Sequence, residues 1–422
     1  MTNLKFANIV LNDLSSNTQN CNGLYYLSNK VVVPEEDGSF LLTEKGEYDF
    51  TTYFNSLSVH KLEMYTRATS FYLHIEVSGN SESEVERTYA DNFSHSSQFS
   101  GDIVKISPSD SWQEYNIPIH PGENDIVEGF TIRTAANGIR IKNCYWSLEV
   151  NGKIEPVKLA LITPTFKKEN YIEKNISYLK STLFKDPIAK KAHFFVIDNG
   201  RTLDPALIDD NYISVIPNPN VGGSGGFARG MLEVLKNKTN FTHVLLMDDD
   251  VSLCAESIKR TINLISILKP EWQRSFISGA MLNFDIKDMQ REDVGWVTPQ
   301  GGCISQKPIL RMTLTEDLVL NETLEPSEEM KKKEEPAPQP EPKSEPKPAA
   351  SQMPVLPQQT EDPKKEETQP LPSNQPEIST ESVSRTISKV NPLEEYFNTM
   401  RSGDLGNILG IPDPKENSDM SL

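Results

Sequence analysis

The 422-residue sequence predicts an all-β sandwich over residues 1–155, an α/β domain built on a mostly parallel sheet over 156–325, and a disordered tail after it. Three observations carry this. In "FYLHIEV", Phe71, Leu73, Ile75 and Val77 alternate with Tyr72, His74 and Glu76, the period-2 pattern of a strand with one wet face. From Val157 onward, short continuous apolar runs alternate with segments of helical spacing, as expected of a parallel sheet covered by helices. Beyond about Glu325, proline, glutamate, lysine, glutamine and serine displace the apolar residues.

Taken in order, the first region repeats its alternation in "YWSLEV", with Trp146, Leu148 and Val150 on one face. Polar clusters such as "SGNSESE" and "SPSDS" separate its strands and few helical patterns intervene, hence a sandwich. In the second region "VKLALITPTF" reads as a buried strand, "NYIEKNISYLKSTL" as a helix with Ile172, Ile176 and Leu179 on one face, and "AHFFVIDNG" as a strand. "YISVIPN", a glycine segment opening a helix near Ala228, the strand "HVLLMDDD" and the helix "AESIKRTINLISILK" follow. Twelve of the 29 prolines crowd 336–376, and no aromatic residue stands between Trp296 and Tyr396. Residues 326–390 therefore cannot offset their ordering entropy by burial. In 391–422, Leu393, Tyr396, Phe397 and Met400 would share one face of a short helix, where a protein partner could dock.

Composition excludes some classes. A net charge of −18, a pI near 4.9 and no basic run longer than Lys331–Lys333 argue against a nucleic-acid partner. Cys21, Cys144, Cys254 and Cys303 stand far apart with no C-x-x-C, which predicts buried thiols rather than a zinc site or a disulfide framework. The first residues lack the pattern of a secretory leader, and no stretch approaches the ~18 apolar residues of a membrane span. The expected setting is cytoplasmic, with peripheral membrane contact left open.

Ligands of parallel α/β sheets sit beyond the carboxyl ends of the strands, where Asp198 and Asp248 to Asp250 fall. Strand alternation would send Asp248 and Asp250 to one side and Asp249 to the other. Two converging carboxylates suit Mg²⁺ or Mn²⁺; a solvated acidic turn is the plainer alternative. Charge beside the buried run "VLLM" favours the cation, because it is costly there alone. Gly223, Gly225 and Ala228 satisfy the loose G-x-G-x-x-G/A dinucleotide pattern, but "PNPN" separates the strand from the glycines and the acid is a triplet. No Gly-Lys-Ser/Thr follows, so it is not a P-loop. What remains is close backbone approach and free N–H groups at a helix start, both suited to a phosphate.

"NPNVGGSGGFARG" followed by "MDDD", after "ITPTF" and "VIDNG", resembles family 2 glycosyltransferases with the nucleotide-sugar-binding GT-A fold. Within them it is similar to the bacterial galactofuranosyltransferases that extend galactan on a lipid carrier, as is "YDFTTYFNSL" at 48–57. The resemblance covers roughly residues 1–325. It implies UDP-galactofuranose as donor, a glycan or lipid-linked glycan as acceptor, inversion at the anomeric carbon, and Mg²⁺ or Mn²⁺ held by Asp248 and Asp250. By position, the implied donor site is Lys168, Asn199, Asn220, Gly222, Gly223, Gly225, Gly226, Asp248 and Asp249, with Lys168 where relatives often carry arginine. Glu292 and Trp296 would reach toward the sugars. Relatives continue with a Trp-rich segment, an aspartate base and a histidine completing the metal shell, whereas no histidine follows His243 here. The resemblance thus implies donor binding, with the chain's own transfer activity in question. A non-catalytic nucleotide-sugar or glycan-binding protein, and a scaffold acting through its tail, are the readings from other classes.

Overall fold

Residues 1–11, 21–237, 240–292, 295–297, 303–305 and 308–323 are described by the structure, a computed structural model. All of them belong to one unit, Met1–Gln339. The expected disordered segment 326–390 and the helix expected in 391–422 lie outside the described residues.

The first region forms two antiparallel sheets. One takes the order Val32–Pro34, Phe40–Leu42, Ile139–Val150, Ala68–Gly79, Ser109–Ile119, with Thr2–Asn8 also pairing along Ile139–Val150. The other runs Leu27–Ser28, Glu47–Asp49, Val127–Thr134, Ser83–Ala90, Gln98–Ile106. Phe71, Leu73, Ile75 and Val77 point into the core and Tyr72, His74 and Glu76 stay half-buried. Register sets Leu73 between Trp146 and Ile117, so one face is continuous across three strands. Trp146 is buried and its indole N–H donates to the Asn55 carbonyl at 2.8 Å, the partner a buried indole requires. "SPSDS" separates two strands as expected, with Ser107 and Pro108 between Gln98–Ile106 and Ser109–Ile119.

The second region is a four-stranded parallel sheet in the order Ile213–Pro217, Ala192–Asp198, Leu159–Thr165, His243–Leu246. Leu159–Thr165 and Ala192–Asp198 are covered on both faces, which is why they read as unbroken apolar runs, whereas Val244 and Leu246 of the edge strand His243–Leu246 are exposed. Leu161, Phe194 and Val196 pack with Ile172, Ile176 and Leu179 of the helix Glu169–Ser181 and with Ile258 and Ile262 of the helix Ala255–Ile265. On the other face Ala160, Ile162, Phe195 and Ile197 meet Val234 of the helix Gly222–Lys236. This glycine helix opens at Gly222 rather than near Ala228 as expected. Close packing is the reason glycine is used inside it: a Cβ at Gly226 would lie 2.6 Å from Pro164 Cβ, and one at Gly230 2.3 Å from Ile162 Cγ2.

After the helix Ala255–Ile265 the chain returns to the antiparallel sheets. Ile267, Leu310 and Met312 enter their core, and Leu318 and Val319 of the helix Thr315–Thr323 pack on Ala90, Ile126 and Val127. Asn263 donates to the carbonyls of Lys5 and Phe6 at 3.0 and 2.8 Å, capping the open edge of Thr2–Asn8. Cys144 is buried, which pushes its thiol up to about 12; Cys21 and Cys254 are half-buried, and Cys303's side chain is outside the described set.

Candidate functional site

Leu159–Thr165 connects onward to one side of the sheet while His243–Leu246 is added on its other side, so the switch point of the topology falls between their carboxyl ends. Thr165 closes the first strand and the aspartates follow the second. The strand stops at Leu246, and Asp248 to Asp250 form a turn rather than continuing it as expected. Asp248 and Asp250 are nonetheless exposed and Asp249 buried.

Asp249 bridges the switch point. Its Oδ2 accepts from Thr165 Oγ1 at 2.9 Å and its Oδ1 from Lys168 Nζ at 3.1 Å. Buried Asn175, on the helix Glu169–Ser181, donates through Nδ2 to the carbonyls of Asp249 and Val251 at 3.2 and 3.0 Å, fixing the turn from below. Lys168 also donates to Asp250 Oδ2 at 2.7 Å. That bond holds the Asp250 carboxyl below the usual carboxylate range, and the bonds to Asp250 and Asp249 raise the Lys168 ammonium above the usual lysine range. Thr165 and Asn175 escaped sequence reasoning, since neither carries a charge and the latter reads as an ordinary helical position.

Asp198 ends the neighbouring strand, fully buried. Its carboxylate accepts from the backbone N–H groups of Gly200, Thr202 and Leu203 at 2.9, 2.7 and 2.8 Å, so it shapes the loop rather than facing a ligand. Asn199 is buried too. It donates through Nδ2 to the Gly222 carbonyl at 3.3 Å and accepts from Asn218 Nδ2 at 2.8 Å, tying the glycine helix to the strand end. Asn220 accepts from the Gly222 N–H at 3.1 Å, and Gly222 takes φ +77°, a conformation glycine adopts without strain. Gly222 and Gly223 are exposed with open space around them, and Gly226 packs on Pro164. The first turn of this helix holds no acidic residue. Lys167 and Arg201, at φ 56° and 53°, follow the two central strands in a left-handed conformation uncommon outside glycine. Glu292 and Trp296 lie in the short strands Met289–Glu292 and Gly295–Val297, and their side chains are outside the described set.

Carboxylate oxygens on Asp248 and Asp250 are the donor type that Mg²⁺ or Mn²⁺ takes. Among the described residues no cluster of three or more His, Cys, Asp or Glu side chains is arranged for a metal, so these two would form a partial shell completed by a ligand and water. Exposed Asp248 and Asp250, with Lys168 bonded to the latter, thus stand beyond the sheet's carboxyl end, where the glycine helix also starts.

No family model matches the chain. It is 25% identical over 247 residues to the galactofuranosyltransferase GlfT2 of Mycolicibacterium smegmatis, covering 57% of this chain and 37% of that protein. To GlfT2 of Mycobacterium tuberculosis it is 28% identical over 259 residues, covering 58% and 38%. The similarity relates the chain to a glycosyltransferase, and the chain spans well under half the length of these relatives. Among solved structures, a family 29 carbohydrate binding module matches at 19% identity and a TM-score of 0.23, over 35% of this chain and 90% of the module, a score that carries no argument.

Proposed function

We propose that the carboxyl end of the parallel sheet binds a nucleotide-sugar donor of the UDP-galactofuranose type, in a GT-A-like arrangement, and that the chain acts as a galactofuranosyltransferase toward a glycan or lipid-linked glycan. The observation that carries this reading is the acidic turn braced across the switch point by Thr165, Lys168 and Asn175, beside the open start of the glycine helix. The relatives' names support the substrate class.

Asp248 and Asp250 would hold Mg²⁺ or Mn²⁺. A bound cation would neutralise the diphosphate and favour its departure as the glycosidic bond breaks. The protein's own groups supply the rest. N–H groups at the glycine helix start meet anionic oxygens, and the bare Cα atoms of Gly222 and Gly223 allow the close approach this needs. Lys168 places a point charge beside the same anion, without the two-pronged geometry an arginine would give. Asp249 stays engaged by Thr165 and Lys168 and keeps the turn in place. An acceptor hydroxyl would attack the anomeric carbon from the face opposite the diphosphate, with inversion, as the bond from that carbon to the diphosphate oxygen breaks and the hydroxyl proton leaves to solvent.

Calorimetry with UDP tests the reading. Binding that appears with Mn²⁺, is absent in EDTA and is lost in Asp250→Ala is expected; equal affinity with and without the cation sinks the metal-dependent site.

A further inference from the structure

The amino ends of the same four strands surround a second site. A cavity of about 110 Å³ there is lined by Lys158, Lys190, Lys191, His193, Tyr212 and Phe241, among others. These residues are scattered over more than eighty positions, and the parallel sheet alone gathers them. Lys158 precedes Leu159–Thr165, Lys190 and Lys191 close the 3₁₀ turn Pro187–Lys191, His193 lies in Ala192–Asp198, Tyr212 precedes Ile213–Pro217 and Phe241 precedes His243–Leu246.

Charge makes the cavity unusual. In this chain of net charge −18, several lysines of the α/β layer find carboxylates: Lys168 with Asp249 and Asp250, Lys180 with Asp210, Lys259 with Asp186. Lys158, Lys190 and Lys191 have no such pair among the described residues, and no carboxylate lines the cavity. The two acids nearest His193 are committed elsewhere. Asp209 accepts from the Val215 N–H at 2.7 Å; Asp210 accepts from the Tyr212 N–H at 2.8 Å and pairs with Lys180 at 2.9 Å.

His193 serves as a wall and not as a donor. Its Nε2 meets Ser214 Oγ at 2.9 Å, a backbone contact at Asn211 engages the ring further, and burial lowers its pKa so that it stays neutral. Its ring tilts against Phe195 at 4.6 Å and Phe241 at 6.1 Å. The cavity therefore has an aromatic wall and three lysines among its lining residues.

We propose that this cavity binds a phosphate or diphosphate group. Three compact ammonium ions suit an anion carrying two or more charges spread over a tetrahedral group, whereas a lone carboxylate would leave two of them unmatched. The volume is far below the ~300–1,000 Å³ of sites for drug-sized ligands, so a headgroup-sized anion fits and a whole nucleotide does not. Free phosphates and phospholipid headgroups share this chemistry.

The test uses the full chain in EDTA, which silences cation-dependent binding at the acidic turn. Calorimetry with inorganic pyrophosphate should show binding that weakens about tenfold or more in Lys190→Ala/Lys191→Ala and in Lys158→Ala, as expected for lost charge-assisted contacts. Lys174→Ala, at an exposed lysine of the helix Glu169–Ser181 away from the cavity, should bind pyrophosphate as the unaltered chain does. In parallel, flotation with vesicles of phosphatidylcholine plus phosphatidic acid assigns the source: lysine-dependent capture identifies a headgroup, and pyrophosphate binding without capture identifies a free phosphate. Absence of both, or equal binding by the lysine variants, overturns the proposal.

Discussion

At the carboxyl ends of the four parallel strands two carboxylates are buried and occupied, Asp198 by three backbone N–H groups and Asp249 by Thr165 and Lys168, while Asp248 and Asp250 are exposed. At the amino ends the lysines around the cavity are exposed or half-exposed and lack carboxylate partners among the described residues. Helix dipoles contribute to both arrangements. Helices that follow parallel strands start near their carboxyl ends and finish near their amino ends, favouring carboxylates above and cations below. The dipole accounts for Lys190 and Lys191 at the close of a turn, but not for Lys158, which no helix precedes in that strand. The difference separates structural charge from available charge. A buried carboxylate with three donors belongs to the fold, whereas unpaired ammonium groups contribute little to it.

The largest test of that contrast is at Asp198. Asp198→Ala leaves three buried or half-buried N–H groups without their acceptor, each bond to a charged group being worth ~1.5–3 kcal/mol, so a loss of about 3 kcal/mol or more in urea unfolding is expected. Lys190→Ala/Lys191→Ala at the other end should change stability by less than about 0.5 kcal/mol. Equal losses at both ends would erase the distinction.

A smaller effect separates two glycines of one helix. A Cβ at Gly226 meets the rigid Pro164 ring at 2.6 Å, so Gly226→Ala should destabilise by ~1–3 kcal/mol. A Cβ at Gly223 meets open space, so Gly223→Ala should cost no stability but should weaken UDP binding, because it fills the surface a diphosphate would approach. Unfolding curves beside calorimetry check both, and loss of stability at Gly223 would mean that its openness is not a ligand feature.

What the sequence disclosed follows the same division. Phe71 to Val77 were legible because one face of the strand is dry and the other wet. The runs "LALIT" and "HFFVID" were legible because both faces are covered. The start of the glycine helix was not, since glycine's low helix propensity hides a contact with Pro164 and Ile162 that only the assembled sheet reveals. The acidic triplet was legible at a strand end, yet the turn it makes is held by Asn175, seventy-odd residues earlier, through the carbonyls of Asp249 and Val251. The lysine cavity left no local trace, because its residues come from four separate stretches of the chain that only the sheet gathers. Equally, the return of Ile267, Leu310 and Met312 to the first core has no periodic signature that would tie them to it.

The smallest expected effect concerns Lys168, the one lysine of the carboxyl end that joins two aspartates. Its bond lowers the folded-state pKa of Asp250, so the contribution of the pair is present above the unfolded carboxylate value of ~3.9 and is lost as pH falls through the lower folded value. Both partners are substantially exposed and screened by solvent, so Lys168→Met should cost at most about 1 kcal/mol at neutral pH, part of it from Asp249 retaining only Thr165. The sharper readout is the titration itself. Carboxyl carbon NMR should show the Asp250 midpoint moving up toward ~3.9 in the variant, while Lys190→Ala/Lys191→Ala leaves it in place. With the ammonium gone, the freed oxygens of Asp249 and Asp250 should bind Mn²⁺ alone more tightly, whereas UDP in the presence of Mn²⁺ should bind more weakly if Lys168 meets the diphosphate. A midpoint that does not move would mean that the 2.7 Å contact does not persist in solution. In that case the carboxyl end too would hold charge that is available rather than structural.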